Sequence, residues 1–455
     1  MTLVQNRGPL VQTGGAQPSV PGRIRVISGI TVAALALLFA ALGVGSLTAG
    51  DGLRVIGRDA GPQVVATAGL YLALSDMDAQ VANALIMGDQ YAARRGEAIA
   101  QYERRRSEAN QALLKAFELS GDNAAERRTV QSVLDGLGRY ERLAGQALML
   151  NEQSGHAPGP PPANVVGTYR QATDLMRLVL LPQAYNLTLE SGTIVRRTYD
   201  EKDVLVPLLR VAVLLAGLLA LGCLIWLQVF LARRFRRVFG PALLVATVTT
   251  AVALLSGASV LGQDEAQLRT AKKSGFDSVL TLAKARAISN SMQGDQSRYL
   301  LDKERADTYE HTFLDKSQSV VYFESGNLTD YHQKVAGRAQ EALGMLGPEL
   351  TGVEGKRVLE TYRAFQDADT TFRRLALSGK TNDAVAARLD PVASAFDAYD
   401  KALVALAERH ERVFDRAIDA GEGALGTLWR LLPFAIAGIG LLVIVGVWPR
   451  LKEYR

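Results

Sequence analysis

Few of the 455 side chains have the types and spacing that chemistry needs. The four histidines (His156, His311, His332 and His410) are scattered, and no H-e-x-x-H pair brings two of them onto one helix face. Cys223 is the single cysteine and falls inside an apolar run, so one chain builds neither a disulfide framework nor a thiolate metal site. It reads as a small packed or lipid-facing hydrophobe. The nearest approach to a phosphate-binding loop, Gly352-Val-Glu-Gly-Lys-Arg357, has the wrong spacing and no hydroxyl. A nucleophile elbow, a kinase signature and a Rossmann fingerprint are all missing from the sequence. The expectation is a non-enzymatic chain with no cofactor, no metal and no nucleic-acid partner.

What remains is polar residues on helical patterns. His410 occupies a seam position, where an imidazole serves either as a pH switch or as an ordinary packed core residue close to the membrane; the second is the expected role. Asp76 and Asp78 flank a seam, and a solvated helix face explains the pair at least as well as ligand binding does. The run Ser289-Asn-Ser-Met-Gln-Gly-Asp-Gln-Ser-Arg298 is odder, because it interrupts a bundle helix with few apolar residues. It is either a polar core network or a partner surface. Asp295 with Arg298 has the charges to clamp a zwitterion.

The elements that must position these residues follow from composition. Apolar residues make up 48% and charged residues 21%, a mixture of lipid-buried stretches and long soluble ones. A span needs about 20 apolar residues, and four stretches meet or approach that: 26–49, 206–232, 241–262 and 431–448. Arg210 sits near the outer end of the second, within reach of the headgroups. Arg23 and Arg25 precede the first span. Arg233, Arg234, Arg236 and Arg237 fill the loop 233–240, and Arg450, Lys452 and Arg455 follow the last span. By the positive-inside rule these flanks are cytoplasmic. The expected topology is a multi-pass protein of the inner cell membrane. The tail 1–25, the loop 233–240 and the stub 449–455 lie inside, with both termini cytoplasmic. Span one is too long for a signal-peptide core and is expected to be retained.

Residues 50–205 and 263–430 are then extracytoplasmic, each entered from one span and left by another: one plan written twice. Both read as helices. Val130, Val133, Leu137, Tyr140, Ala144 and Ala147 form one seam, and Val392, Phe396, Tyr399, Leu403, Leu406, His410, Val413, Ala417 and Ala420 form another. Leu70, Leu74, Met77, Val81 and Ala84 mark a third; Val358, Tyr362, Phe365, Phe372 and Leu375 mark a fourth. Breakers fall at 88–96, 120–123 and 154–162, and again at 302, 324–327, 347–348 and 378–381. The predicted fold is an all-α membrane protein, four transmembrane helices carrying two antiparallel four-helix bundles in a tandem pseudo-duplicated arrangement. The membrane-distal tips carry the candidate docking residues Gly88, Asp89, Gln90, Tyr91, His156, Asp302, Lys303 and Lys380.

Two spans flanking a four-helix bundle resemble the sensor plan of bacterial chemoreceptors and sensor kinases. The strings Leu74-Ser-Asp-Met-Asp-Ala-Gln-Val-Ala-Asn-Ala-Leu85 with Gly88-Asp89, and Gly294-Asp-Gln-Ser-Arg-Tyr-Leu-Leu301, narrow the likeness. They resemble the opening helices in an actinobacterial family of four-span membrane sensors. That family is encoded beside a glutamine/glutamate-binding lipoprotein and the soluble Ser/Thr protein kinase G. The resemblance implies sensing of amino acids of the glutamate, aspartate and glutamine class. A solute-binding lipoprotein would dock on the outer bundles, and the signal would pass to a cytoplasmic Ser/Thr kinase controlling nitrogen and carbon metabolism. Arg233, Arg234, Arg236, Arg237 and the two tails would then be the output. Partners on this reading are the lipid bilayer, the lipoprotein, the kinase directly or indirectly, and a second copy in a homodimer. Two alternatives stay open: a direct receptor with a small molecule between bundle helices, and a structural scaffold for a transporter or envelope complex.

Overall fold

The computed structural model describes residues 20–121, 123–235, 240–337 and 343–452. The chain runs as α1 (Val20–Arg54), α2 (Ala60–Ile86), α3 (Ala92–Leu119), α4 (Ala124–Ser154), α5 (Ala163–Leu175) and α6 (Leu181–Phe235). It continues as α7 (Pro241–Thr270), α8 (Asp277–Leu301), α9 (Ala306–Val320), α10 (Leu328–Gly337), α11 (Gly352–Leu377), α12 (Thr381–Ala387) and α13 (Ala393–Lys452). Among the described residues the only strand-like feature is one isolated antiparallel bridge between Tyr322 and Leu343. The breakers act where their chemistry requires. Asn123 caps α4, accepting from the Ala125 and Glu126 amides, which satisfies donors a helix start leaves orphaned. Gly155 follows α4 with φ +48°, a left-handed conformation that costs glycine least.

One series of elements recurs in both halves. Val55–Asp59 joins α1 to α2 by a π-helical turn, and Ala271–Phe276 joins α7 to α8 in the same way. A short 3₁₀ turn follows α2 at Asp89–Tyr91 and α8 at Lys303–Arg305. Further π turns, Met176–Leu180 and Arg388–Val392, precede the long closing helices α6 and α13. The second half differs by an insertion: α10 and the bridged segment around it occupy the place of the tight turn at 120–123.

By internal packing the chain divides into two units. The first holds the residues up to Gly50, Val204–Glu265 and Gly423–Arg455. Four helices long and apolar enough to cross a membrane contribute to it, and the chain is a multi-pass membrane protein. Small residues let these helices approach closely, as lipid-embedded packing requires. Gly217 abuts Leu254, Gly257 abuts Leu42 and Gly446 abuts Leu243. Large apolar side chains such as Leu37, Leu215, Val252 and Phe434 stay exposed, where lipid tails cover them at no cost. Arg210 lies 3.8 Å from Glu265.

The second unit, Asp51–Asp203 with Ala266–Glu422, contains both long segments between the apolar stretches. The seam residues read from the sequence are buried as far as Leu406, Leu375 only partly, and all but Ala84 join one hydrophobic cluster fed by both halves; beyond Leu406 the last seam loosens, with His410 and Val413 half-buried and Ala420 exposed. Phe365 stacks on Tyr399 at 6.3 Å and meets Phe396 edge-on at 5.3 Å. Burying a ring of that size contributes about 1.5–3 kcal/mol. Helix α2 of the first half lies along α8 of the second. The polar runs of the two helices therefore meet in the interior.

Candidate functional site

Helix α8 carries Ser289, Asn290, Ser291, Gln293, Asp295, Gln296, Ser297 and Arg298 without a break, and all are buried. Opposite them on α2, Asp76, Asp78 and Asn83 are buried too. The 289–298 run lies in the interior and its polar side chains are hydrogen-bonded to neighbouring helices. Asp76 and Asp78 are not a solvated face. Their helix is covered on that side by α3 and α8, and period alone does not distinguish water from a polar partner helix.

Arg298 is 1% exposed and sits at the centre. Its guanidinium pairs with Asp78, donates to Asp295 at 2.6 Å and to the Tyr169 hydroxyl at 3.1 Å. Asp78 also accepts from Thr173 at 2.7 Å, Tyr140 at 3.1 Å and Tyr169 at 3.3 Å. Lys316 pairs with the second oxygen of Asp295 and donates to Ser291 at 2.7 Å. Two carboxylates and two cations thus cancel, with only Lys316 partly exposed, and such pairing is the condition under which buried charge is tolerated. Burial alone would pull the Arg298 guanidinium down, but Tyr169, Asp78 and Asp295 outweigh it and hold it well above its ordinary value. Burial depresses the Lys316 ammonium to about 8 against the pull of Asp295.

A second cluster extends the network into the second half. Asp369 accepts from Gln296 at 2.7 Å and from Arg373 at 2.8 Å. His332 lies 3.3 Å away, close enough for attraction but without hydrogen-bond geometry. Burial pushes the Asp369 carboxyl up; Arg373 and His332 overcome this and hold it at about 2.

Beside the centre a cavity of about 440 Å³ opens among α2, α3, α8 and the start of α13. Asp76 on its wall is held by Arg105 at 2.6 Å and Gln80 at 2.8 Å, Asp400 by Arg286 at 2.6 and 2.8 Å. Arg388, at the start of a π turn that contains Pro391, lines the same cavity and is 1% exposed. It donates to Asn83 at 2.9 Å and to the Gln293 carbonyl at 3.1 Å, both neutral.

The sequence-derived candidates scatter along the chain. Asp295 and Arg298 spend their hydrogen bonds on each other and their neighbours, and neither lines a described cavity. Gly88, Asp89 and His156 come together. The Asp89 amide donates to the His156 carbonyl at 3.2 Å, and a Cβ on Gly88 would stand 2.3 Å from that carbonyl. Asp89 and Gln90 are exposed, and Tyr91 is half-buried. Asp302 is buried and clasped by Arg170 of the first half at 2.5 and 2.7 Å, while Lys303 and Lys380 are exposed. His410 sits 2.7 Å from the Ser274 carbonyl and 3.4 Å from Glu349. Arg233 and Arg234 end α6; Arg236 and Arg237 lie outside the described residues. Sequence reasoning passed over Asn83, Lys316, Asp369, Arg373 and Arg388. Only the density of polar residues at 289–298 hinted that cations must face it.

The family model described as an actinobacterial sensor domain matches residues 52–200, which run from the end of α1 through α2 to the first part of α6. This supports a sensor of actinobacterial type. No curated protein and no solved structure matches the chain.

Proposed function

We propose that the chain is a non-enzymatic transmembrane signal transducer, whose unit of paired outer segments receives an extracytoplasmic input and whose spans report it inside. The carrying observation is continuity. α6 and α13 each run unbroken from core positions of the second unit, Leu187 and Phe396, into an apolar span. A small shift, tilt or rotation of such a helix reaches its far end, provided two packings lie within a few kcal/mol. The sensor-domain match at 52–200 supports the same reading.

In the finer form of this proposal, an amino-acid-binding lipoprotein docks on the outer segments and reports glutamate, aspartate or glutamine. The state passes through the loop at Arg233–Arg237 and the cytoplasmic termini to a Ser/Thr kinase. The likeness of Leu74–Leu85 and Gly294–Leu301 to the four-span sensor family supports it. A second reading, direct capture of a small molecule between helices, is favoured by the polar cavity lined by Arg388.

The test uses the full chain in lipid nanodiscs, with Cys223 replaced by serine and spin labels at Ala232→Cys and Trp448→Cys. A change in label separation on adding ligand-loaded lipoprotein supports relayed sensing. A change with a free amino acid alone supports direct sensing. An unchanged separation under every condition leaves a scaffold and sinks the transducer.

A further inference from the structure

Buried charges in folded proteins are paired, because an isolated ion taken out of water costs several kcal/mol. The interior of this unit obeys that rule at Arg298, Arg373 and Lys316, each within reach of a carboxylate. Arg388 breaks it. Among the described residues no carboxylate comes within ion-pair distance, its Nε has no hydrogen-bond partner, and only one terminal nitrogen is engaged, by neutral oxygens. The carboxylate whose charge acts on it, Asp369, is committed to Arg373 and Gln296. Burial pulls the guanidinium down to about 10, so it remains charged at neutral pH.

The place of this unpaired cation is also singular. It forms part of the cavity of about 440 Å³, a size that suits a small metabolite. The acids around it are not equivalent. Asp76 and Asp400 are each saturated by an arginine, and Asp397 pairs with Lys401 at 2.6 Å. Glu97, exposed on the rim, pairs with no cation among the described residues. The cavity therefore presents one unsatisfied cation in its buried wall and one unsatisfied carboxylate at its rim. Asn290 and Gln293 supply neutral hydrogen-bonding groups between helices of both halves.

We infer that this cavity is a binding site for a small zwitterion, whose carboxylate pairs with Arg388 and whose ammonium group faces Glu97. Occupancy supplies the counterion that the fold withholds. It also touches α2, α3, α8 and α13 at once, so a bound molecule ties the two halves together. The inference deepens the sensor reading by naming an input and rests on it only for what binding accomplishes; the site itself is tested by binding alone.

The experiment is calorimetry and thermal denaturation of the full-length protein in nanodiscs. The probes are L-alanine, L-glutamine, L-glutamate and glycine betaine at millimolar concentration, with L-alanine methyl ester and choline as partners lacking the carboxylate. The expected result is saturable heat and a raised Tm with at least one zwitterion, since a ligand bound only by the folded state stabilises it. Its carboxylate-free counterpart should bind at least about tenfold more weakly, the value of one charge-assisted contact. Arg388→Gln should abolish binding, and Glu97→Gln, on the exposed rim, should weaken it. Absence of heat with every zwitterion, or equal binding by ester and acid, overturns the site. So does undiminished binding by a folded Arg388→Gln protein. If Arg388→Gln does not fold, the acid–ester comparison on the unaltered protein decides. Binding with no change at the cytoplasmic spin labels would break the sensor reading and leave the site standing.

Discussion

Two buried arginines line the contact between the halves, and their surroundings are opposites. Around Arg298, Asp78, Asp295, Lys316 and three hydroxyl donors form a closed, neutral set. Around Arg388 there are two neutral oxygens, a bare Nε and an open cavity. The same side chain at the same burial thus serves two ends. A charge whose partners all come from the chain joins helices that are distant in sequence. A charge left wanting a partner beside a cavity is poised for one from outside.

The difference is open to direct attack. Arg298→Met strands Asp78 in the interior and should destabilise the protein by about 3–5 kcal/mol, read by thermal and denaturant unfolding in detergent. The double variant Asp78→Asn with Arg298→Gln leaves the Asp295–Lys316 pair intact and should recover much of that loss. A single variant of near-native stability would erase the distinction. Acidification tests the neighbouring cluster around Asp369. Asp369 is held at about 2 in the fold against an ordinary value of 3.8, so its contribution is complete above pH ~4. About 2 kcal/mol should be lost as pH falls through that window, and Asp369→Asn should flatten this part of the stability–pH curve. Arg388→Gln keeps a donor for Asn83 and Gln293 while removing an uncompensated charge. Its unfolding free energy should change by less than about 1 kcal/mol, in either direction. A loss as large as that of Arg298→Met would show that Arg388 too is structural. The smallest effect belongs to the exposed pairs: Arg58→Ala, which releases Glu422 at 2.9 Å and Asp419 at 3.2 Å, should leave the unfolding midpoint almost unchanged, because solvent screens pairs of this kind.

The sequence and the structure agree where periodicity or composition carries the information. The seam from Val130 to Ala147 is buried from end to end, and the helix ends fall at Ser120–Asn123, Ser154–Pro162 and Ser378–Thr381 as the breakers require. The four apolar stretches lie in four long helices for the same reason. What stayed hidden depends on residues far apart in the chain. Asp78 meets Arg298 across 220 positions, and Asn83 meets Arg388 across 305. Nothing local to Asp76-Met-Asp78 says whether water or another helix satisfies the carboxylates, which is why the solvated-face reading failed. Arg388 lies in a short stretch without clear periodicity, and its π turn leaves no mark in residue type apart from Pro391.

Those π turns carry a consequence for the arithmetic of the helices themselves. Each inserts one residue beyond the α-helical count, so the side chains after it are turned by about 100° relative to an uninterrupted helix. With turns at Val55–Asp59 and Ala271–Phe276, a stripe drawn at constant period from α1 or α7 leaves its face before reaching α2 or α8. The lipid-facing stripe and the core-facing stripe of one rod are therefore separate phases. A one-residue insertion or deletion inside such a turn would re-index one phase against the other while leaving each sequence stripe intact.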